Sequence, residues 1–290
     1  MKKGLLLFAI AMVSWCSAGL TQEATSEEPT NVPVQVFKDT RIVNGHSTET
    51  NTKGQMTFII QHRFGRVNQG GYDLWGLDNA TMRMGLDYGL TNDLDIGIGR
   101  STFEKTYDGY AKYAIMRQGT KRPLSISAVA TIAYKGLRVP EGERAIEDID
   151  RLFYTYQLLL GRKILDRLSI QIMPTVVHRN IVPTPNEEHD VPALGGAFKF
   201  QLSKQVAIQA EAYAVDRGIL GPGPTREGFY APISLGFDVE TKGHVFQFHL
   251  SNSRGMVEKL FITETTGNWL DGDIHFGFNI TRDFRIRGRK

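Results

Sequence analysis

From Gln55 onward apolar and polar side chains alternate along most of the chain, most sharply between Thr81 and Gly99. There Met82, Met84, Leu86, Tyr88 and Leu90 share one face, opposite Thr81, Arg83, Gly85, Asp87 and Gly89. After Thr91-Asn92-Asp93 the pattern resumes, with Leu94, Ile96 and Ile98 opposite Asp95, Gly97 and Gly99. Alternation with a period of two predicts strands lying between two different environments. The short polar connection predicts a hairpin. One face is almost purely apolar, and the other carries charges and glycines. A soluble sandwich would bury the apolar face, whereas a transmembrane barrel turns it to lipid and keeps the polar face around the lumen.

The rest of the chain favours the barrel. Similar runs begin near Gln55, Tyr107, Leu124, Arg151, Leu168, Phe198, Val206, Ala231, Phe246 and Ile274. With the hairpin they make about twelve strands of roughly ten residues, long enough to cross a bilayer at a tilt. Short connections near 91–93, 118–123, 163–167, 203–205 and 240–243 alternate with longer ones near 66–79, 136–149, 180–191, 216–228 and 252–271. The connection at 100–106 is intermediate. The expected fold is all-β: an antiparallel up-and-down transmembrane barrel with turns and both termini periplasmic and loops outside. Tyr88, Tyr134, Tyr154 and Tyr230, near strand ends, are candidates for interfacial girdles.

Before Gln55 the alternation is lost. Lys2 and Lys3 precede an apolar run, Gly4 to Val13, and then the small residues Ser17, Ala18 and Gly19, which predicts a secretory signal cleaved after Ala18. Cys16 is the only cysteine of the 290 residues, and Trp15 before it does not suit a lipoprotein site, so the mature chain is expected to hold no disulfide. Residues 19–54 are polar and rich in Thr, Ser and Glu. They read as a flexible periplasmic segment, with a short ordered piece at Phe37 to Ile42, ahead of a barrel over 55–290. With 34 basic and 31 acidic residues the charge is nearly balanced, and nothing points to a nucleic-acid partner.

Three stretches, Phe37-Lys-Asp-Thr-Arg-Ile-Val-Asn-Gly-His-Ser47, Tyr107-Asp-Gly-Tyr-Ala-Lys-Tyr-Ala-Ile-Met-Arg117 and Phe246-Gln-Phe-His-Leu-Ser-Asn-Ser-Arg-Gly255, together resemble the β-barrel family known as domain of unknown function 5777, from outer membranes of the Bacteroidetes group. The resemblance covers most of the mature chain. It implies an outer-membrane barrel and no established biochemical activity.

If the apolar face meets lipid, the lumen is lined by Arg63, Arg83, Lys112, Arg151, Arg179 and Lys199 against Asp87, Asp95, Asp108, Glu211 and Asp238. Mixed, balanced charge suits a passive channel for small polar solutes, with a lumen closed by ion pairs as the lesser alternative. Twelve strands fall between the filled eight-stranded and the open sixteen-stranded barrels. A second reading is enzymatic. His249, Ser251 and Asn252 form a His-x-Ser-Asn run resembling that of outer-membrane lipid hydrolases, in which imidazole activates the hydroxyl. Parity, however, turns Phe246, Phe248 and Leu250 outward and His249 and Ser251 into the lumen. A third reading is a structural barrel whose long loops bind a partner. The acidic clusters Glu141, Glu143, Glu147, Asp148 and Glu187, Glu188, His189, Asp190 lack a fixed ligand pattern, and the other histidines show no metal spacing. The expectation is therefore a monomeric channel in contact with outer-membrane lipid, without cofactor or metal.

Overall fold

In the computed structural model, residues 32–138, 147–182, 188–215, 228–241 and 243–285 are described. Twelve strands pair antiparallel with their sequence neighbours, and β1 (Gln55–Arg66) pairs with β12 (His275–Arg285) to close the ring. Between them lie β2 (Ala80–Gly89), β3 (Leu94–Ser101), β4 (Tyr107–Met116), β5 (Ser125–Tyr134), β6 (Leu152–Leu165), β7 (Leu168–Arg179), β8 (Asp190–Gln201), β9 (Val206–Val215), β10 (Ile233–Thr241) and β11 (His244–Ser251). Closure leaves no strand edge, so every strand finds its hydrogen bonds within the sheet, which a lipid environment requires.

The strands follow the alternation of the sequence. In β2, Thr81, Arg83, Gly85, Asp87 and Gly89 are buried, while Met84 and Leu86 are exposed on the outer face. Ile96, Ile98, Ile172, Leu194, Phe237 and Leu250 likewise face out, forming the apolar band that a membrane would cover. Turn chemistry is visible at Gly243, whose φ of +89° closes the β10–β11 connection in a conformation that side chains resist. Short turns gather at one end of the barrel and longer connections at the other.

Two expectations change. β8 begins at Asp190, well before the Phe198 region that its alternation marks, so Asp190 and Val191 are strand rather than loop. Pro192 and Gly195-Gly196 disguise the run, because proline and glycine are poor strand formers. The larger change is in the N-terminal segment. The segment, expected to be flexible apart from a short piece at Phe37 to Ile42, is packed inside the barrel on both sides of that piece: Val36, Phe37, Ile42, Val43, His46 and Asn51 are all buried. From the other end a helix, α1 (Glu258–Thr263), sits in the lumen with all six residues buried. The signal segment and the C-terminal residues 286–290 lie outside the described residues.

Candidate functional site

The N-terminal segment enters at the turn end. Val34 donates to the Gln118 carbonyl at 2.8 Å, and Lys38 Nζ donates to the Lys204 carbonyl at 2.7 Å and pairs with Glu240. It leaves at the same end, where the Gly54 amide reaches the Gly89 carbonyl at 2.9 Å. Between these points Arg41 and His46 form a two-residue bridge, and the Ile42 amide bonds the Gly45 carbonyl at 2.9 Å, making a small hairpin whose tip is Ile42-Val43-Asn44-Gly45.

A hairpin this short cannot satisfy its own backbone, so the wall does it. Glu211 accepts from the amides of Asn44 (2.7 Å), Gly45 (3.0 Å) and Val43 (3.4 Å). Asp95 takes the Asn51 amide on both oxygens, at 3.0 and 2.9 Å. Side-chain amides of Gln209, Gln171 and Asn279 donate to the carbonyls of Ile42 (2.9 Å), His46 (2.7 Å) and Val43 (2.8 Å). Lys112 Nζ reaches the Thr40 carbonyl at 3.1 Å, and Ser127 reaches that of Thr48 at 2.9 Å. Wall groups expected to face a solute instead hold a strand of backbone.

Most of the other charges are also engaged. Arg63 holds Asn44 Oδ1 at 2.7 Å and bonds the Ser253 carbonyl, so it joins the hairpin tip to the chain descending from the loop end. Arg83 pairs with Asp108 and donates to Gln61 Oε1 at 2.9 Å. Lys199 pairs with Asp238 at 2.5 Å, and Asp238 also accepts from Gln209 at 2.8 Å. Arg179 bonds the Glu188 carbonyl at 2.5 Å near the loop end. Asp87 crowds beside Tyr110 above Gly97, where an added Cβ would lie 2.1 Å from Tyr110 Cε1 and 2.4 Å from Asp87 Oδ1. Arg151 departs from the expected set. It sits at the rim in a 3-10 turn, Asp148–Arg151, and donates to the carbonyls of Lys135 (3.1 Å) and Leu137 (2.6 Å), because the strand starts one residue later.

Where the two inserted segments meet, Glu258 of α1 lies 3.3 Å from Arg41 and 3.2 Å from His46 of the hairpin. Around this latch is a dry cluster: Ile42 and Val43 of the hairpin, Phe261 and Ile262 of α1, and Leu159, Met173 and Tyr213 of the wall. Patterning did not reveal these inward apolar groups, although Leu158-Leu159-Leu160 and Val176-Val177, apolar on both faces, were a usable sign of burial on both sides.

The hydrolase constellation does not assemble. His249 and Ser251 do face inward, as parity requires, but His249 Nε2 lies 3.0 Å from Arg63. Ser251 Oγ accepts from the Ser234 hydroxyl (2.9 Å) and the Ser253 amide (3.1 Å). Asn252 braces the loop by donating to the Ala231 and Gly267 carbonyls at 2.9 and 2.8 Å. Of the acidic clusters, Glu141, Glu143 and Glu187 lie outside the described residues, and Asp190 pairs with His178 at 2.7 Å. Above α1 a vestibule of about 760 Å³ opens at the loop end, bordered by Phe103, Arg254, Glu264 and Asp273. Burial works against ionising Asp273, yet hydrogen bonds from Asn68 and the Asn268 amide, with Arg66 beside it, hold its carboxyl below the usual range.

Residues 37–284 match the family described as a membrane-bound β-barrel domain, domain of unknown function 5777. The chain belongs to this family. The match begins at Phe37, so the family's domain contains the hairpin as well as the ring. This family member is also similar to solved barrels: an outer-membrane channel from Pseudomonas putida F1 (11% identity, TM-score 0.48, covering 82% of this chain and 98% of that one); the KdgM porin (10%, 0.47, 79% and 99%); and the outer membrane protein Omp33 of Acinetobacter baumannii (9%, 0.45, 81% and 100%). No curated protein matches it in sequence.

Proposed function

We propose that this membrane barrel is an outer-membrane channel for small polar solutes, closed in the state described and opened by withdrawal of the hairpin. The observation that carries this reading is what fills the lumen. The ring itself leaves room for two inserted pieces of chain, 36–51 from one end and α1 from the other, and these close it. The inserted hairpin is held by hydrogen bonds, by the contact of Arg41 and His46 with Glu258 and by an apolar cluster, none of which belongs to the strand ladder of the ring. Removal would expose Glu211, Asp95, Lys112, Asp238 and Lys199, a mixed-charge wall suited to hydrated solutes of either sign. Export through a cleaved signal and turns facing the periplasm complete the proposal, with the hairpin entering from the periplasmic side.

Planar-bilayer conductance tests it. The full chain should be nearly silent, with rare openings. A variant lacking residues 32–51 should open more often, and one that also has 256–264 replaced by a Gly-Ser linker should conduct steadily. A doubly altered barrel that folds and stays silent would remove the channel reading. Hydrolysis has no geometric support, since Ser251 is tied to Ser234 inside the ring, away from lipid.

A further inference from the structure

We propose that the cleft between the entering N-terminal chain and the β6–β7 and β8–β9 turns binds a phosphate-class anion. The cleft, about 350 Å³, has Gln35–Lys38 as one wall and Lys163, Arg167, Lys199 and Lys204 on the other. Its charge is one-sided. Lys38 and Lys199 have carboxylate partners in Glu240 and Asp238. The side chains of Lys163, Arg167 and Lys204 have no hydrogen-bond or ion-pair partner among the described residues. Asp166 is the one carboxylate in the lining, so three cations against it leave two positive charges in excess.

Cations gathered in a partly enclosed cleft repel one another and raise the local concentration of anions. Arg167 offers a planar fork, and Lys163 and Lys204 offer ammonium groups, a set that suits tetrahedral oxyanions better than a lone carboxylate. The cleft is also built rather than incidental: Ser169 donates to the Val36 carbonyl at 2.6 Å, which fixes the distance between its two walls. Leu165 and Leu202 stand exposed on the outer face close by. The anion therefore has two possible sources, free phosphate in the aqueous compartment or the headgroup of an adjoining phospholipid. Because one wall is the hairpin's own lead-in, an occupant ties the hairpin to the turns. That consequence rests on the gated-channel reading; the site does not.

The test uses the full chain. In zwitterionic detergent, calorimetric titration with pyrophosphate should show saturable binding that weakens about tenfold or more in K163Q/R167Q/K204Q. In nanodiscs, replacing part of the phosphatidylcholine by phosphatidylglycerol should raise the unfolding temperature of the native protein and not of the variant if a headgroup is the occupant. Retained heat-modifiable migration on gels establishes that the variant is folded, and R167Q alone serves if the triple variant is not. Response to pyrophosphate assigns the free anion, and response to phosphatidylglycerol alone assigns the lipid. A native protein that answers neither, or a folded variant that answers as well as the native one, overturns the site. Neither readout depends on conductance, so a silent barrel would leave this result standing.

Discussion

Glu211 holds the closed state at three points, because three backbone amides converge on its carboxylate. Glu211→Ala leaves those amides buried and unpaired, and hydrogen bonds to a charged group are worth about 1.5–3 kcal/mol each. Even after relaxation, a loss of about 3 kcal/mol from the hairpin's seat corresponds to roughly a hundredfold rise in opening. Single-channel recording should show that rise in open probability; unaltered opening would mean the hairpin is held elsewhere. Gly97 is constrained for a different reason. Its missing Cβ makes room for Tyr110 and Asp87, and Gly97→Ala forces a clash at 2.1 Å. Overpacking of this kind costs about 1–3 kcal/mol. The urea midpoint should fall by a matching amount, and adding Tyr110→Ala should recover part of it.

Among the elements, the hairpin and α1 behave as one closure because of Arg41, His46 and Glu258. Removing one partner of a buried ion pair strands the other, at about 3–5 kcal/mol, whereas replacing both with apolar groups is far less damaging. Arg41→Met and Glu258→Leu should therefore each destabilise more than the double variant does, measured by urea unfolding in lipid vesicles; additive losses would show that the pair is not coupled. How legible these elements were follows from the same chemistry. The strands and their facing could be read because lipid outside and polar groups inside impose strict alternation, and Arg83, Asp95 and Glu211 are buried inside the ring. The hairpin could not, since its backbone is satisfied by distant wall residues and leaves no periodicity of its own. Nor could the partners of Glu211 or Asp95, 167 and 44 positions away. Arg151 was misplaced only because alternation does not mark where a strand starts.

At the scale of the molecule, the outer face is predominantly apolar, with charged side chains such as Arg100 and Arg282 among the exceptions, while the inner face is divided between charged wall and apolar cluster. A charge placed on the outer band near mid-strand, as in Phe237→Arg, should cost about 2–4 kcal/mol in a bilayer. Unfolding from vesicles would reveal that cost, and its absence would argue against Phe237 facing lipid. The hairpin's path has a mechanical corollary. Both of its limbs pass through the turn end, so it is a tethered loop: it can leave the ring yet never be shed, and its exit opens towards one compartment only. A pull on the chain before Pro33 would load the bonds of Val36, then Thr40, then the Ile42–Gly45 tip in sequence rather than together. Force spectroscopy should then register several small ruptures before the ring yields, so the closure is strong against pressure spread over it and weak against traction on one end.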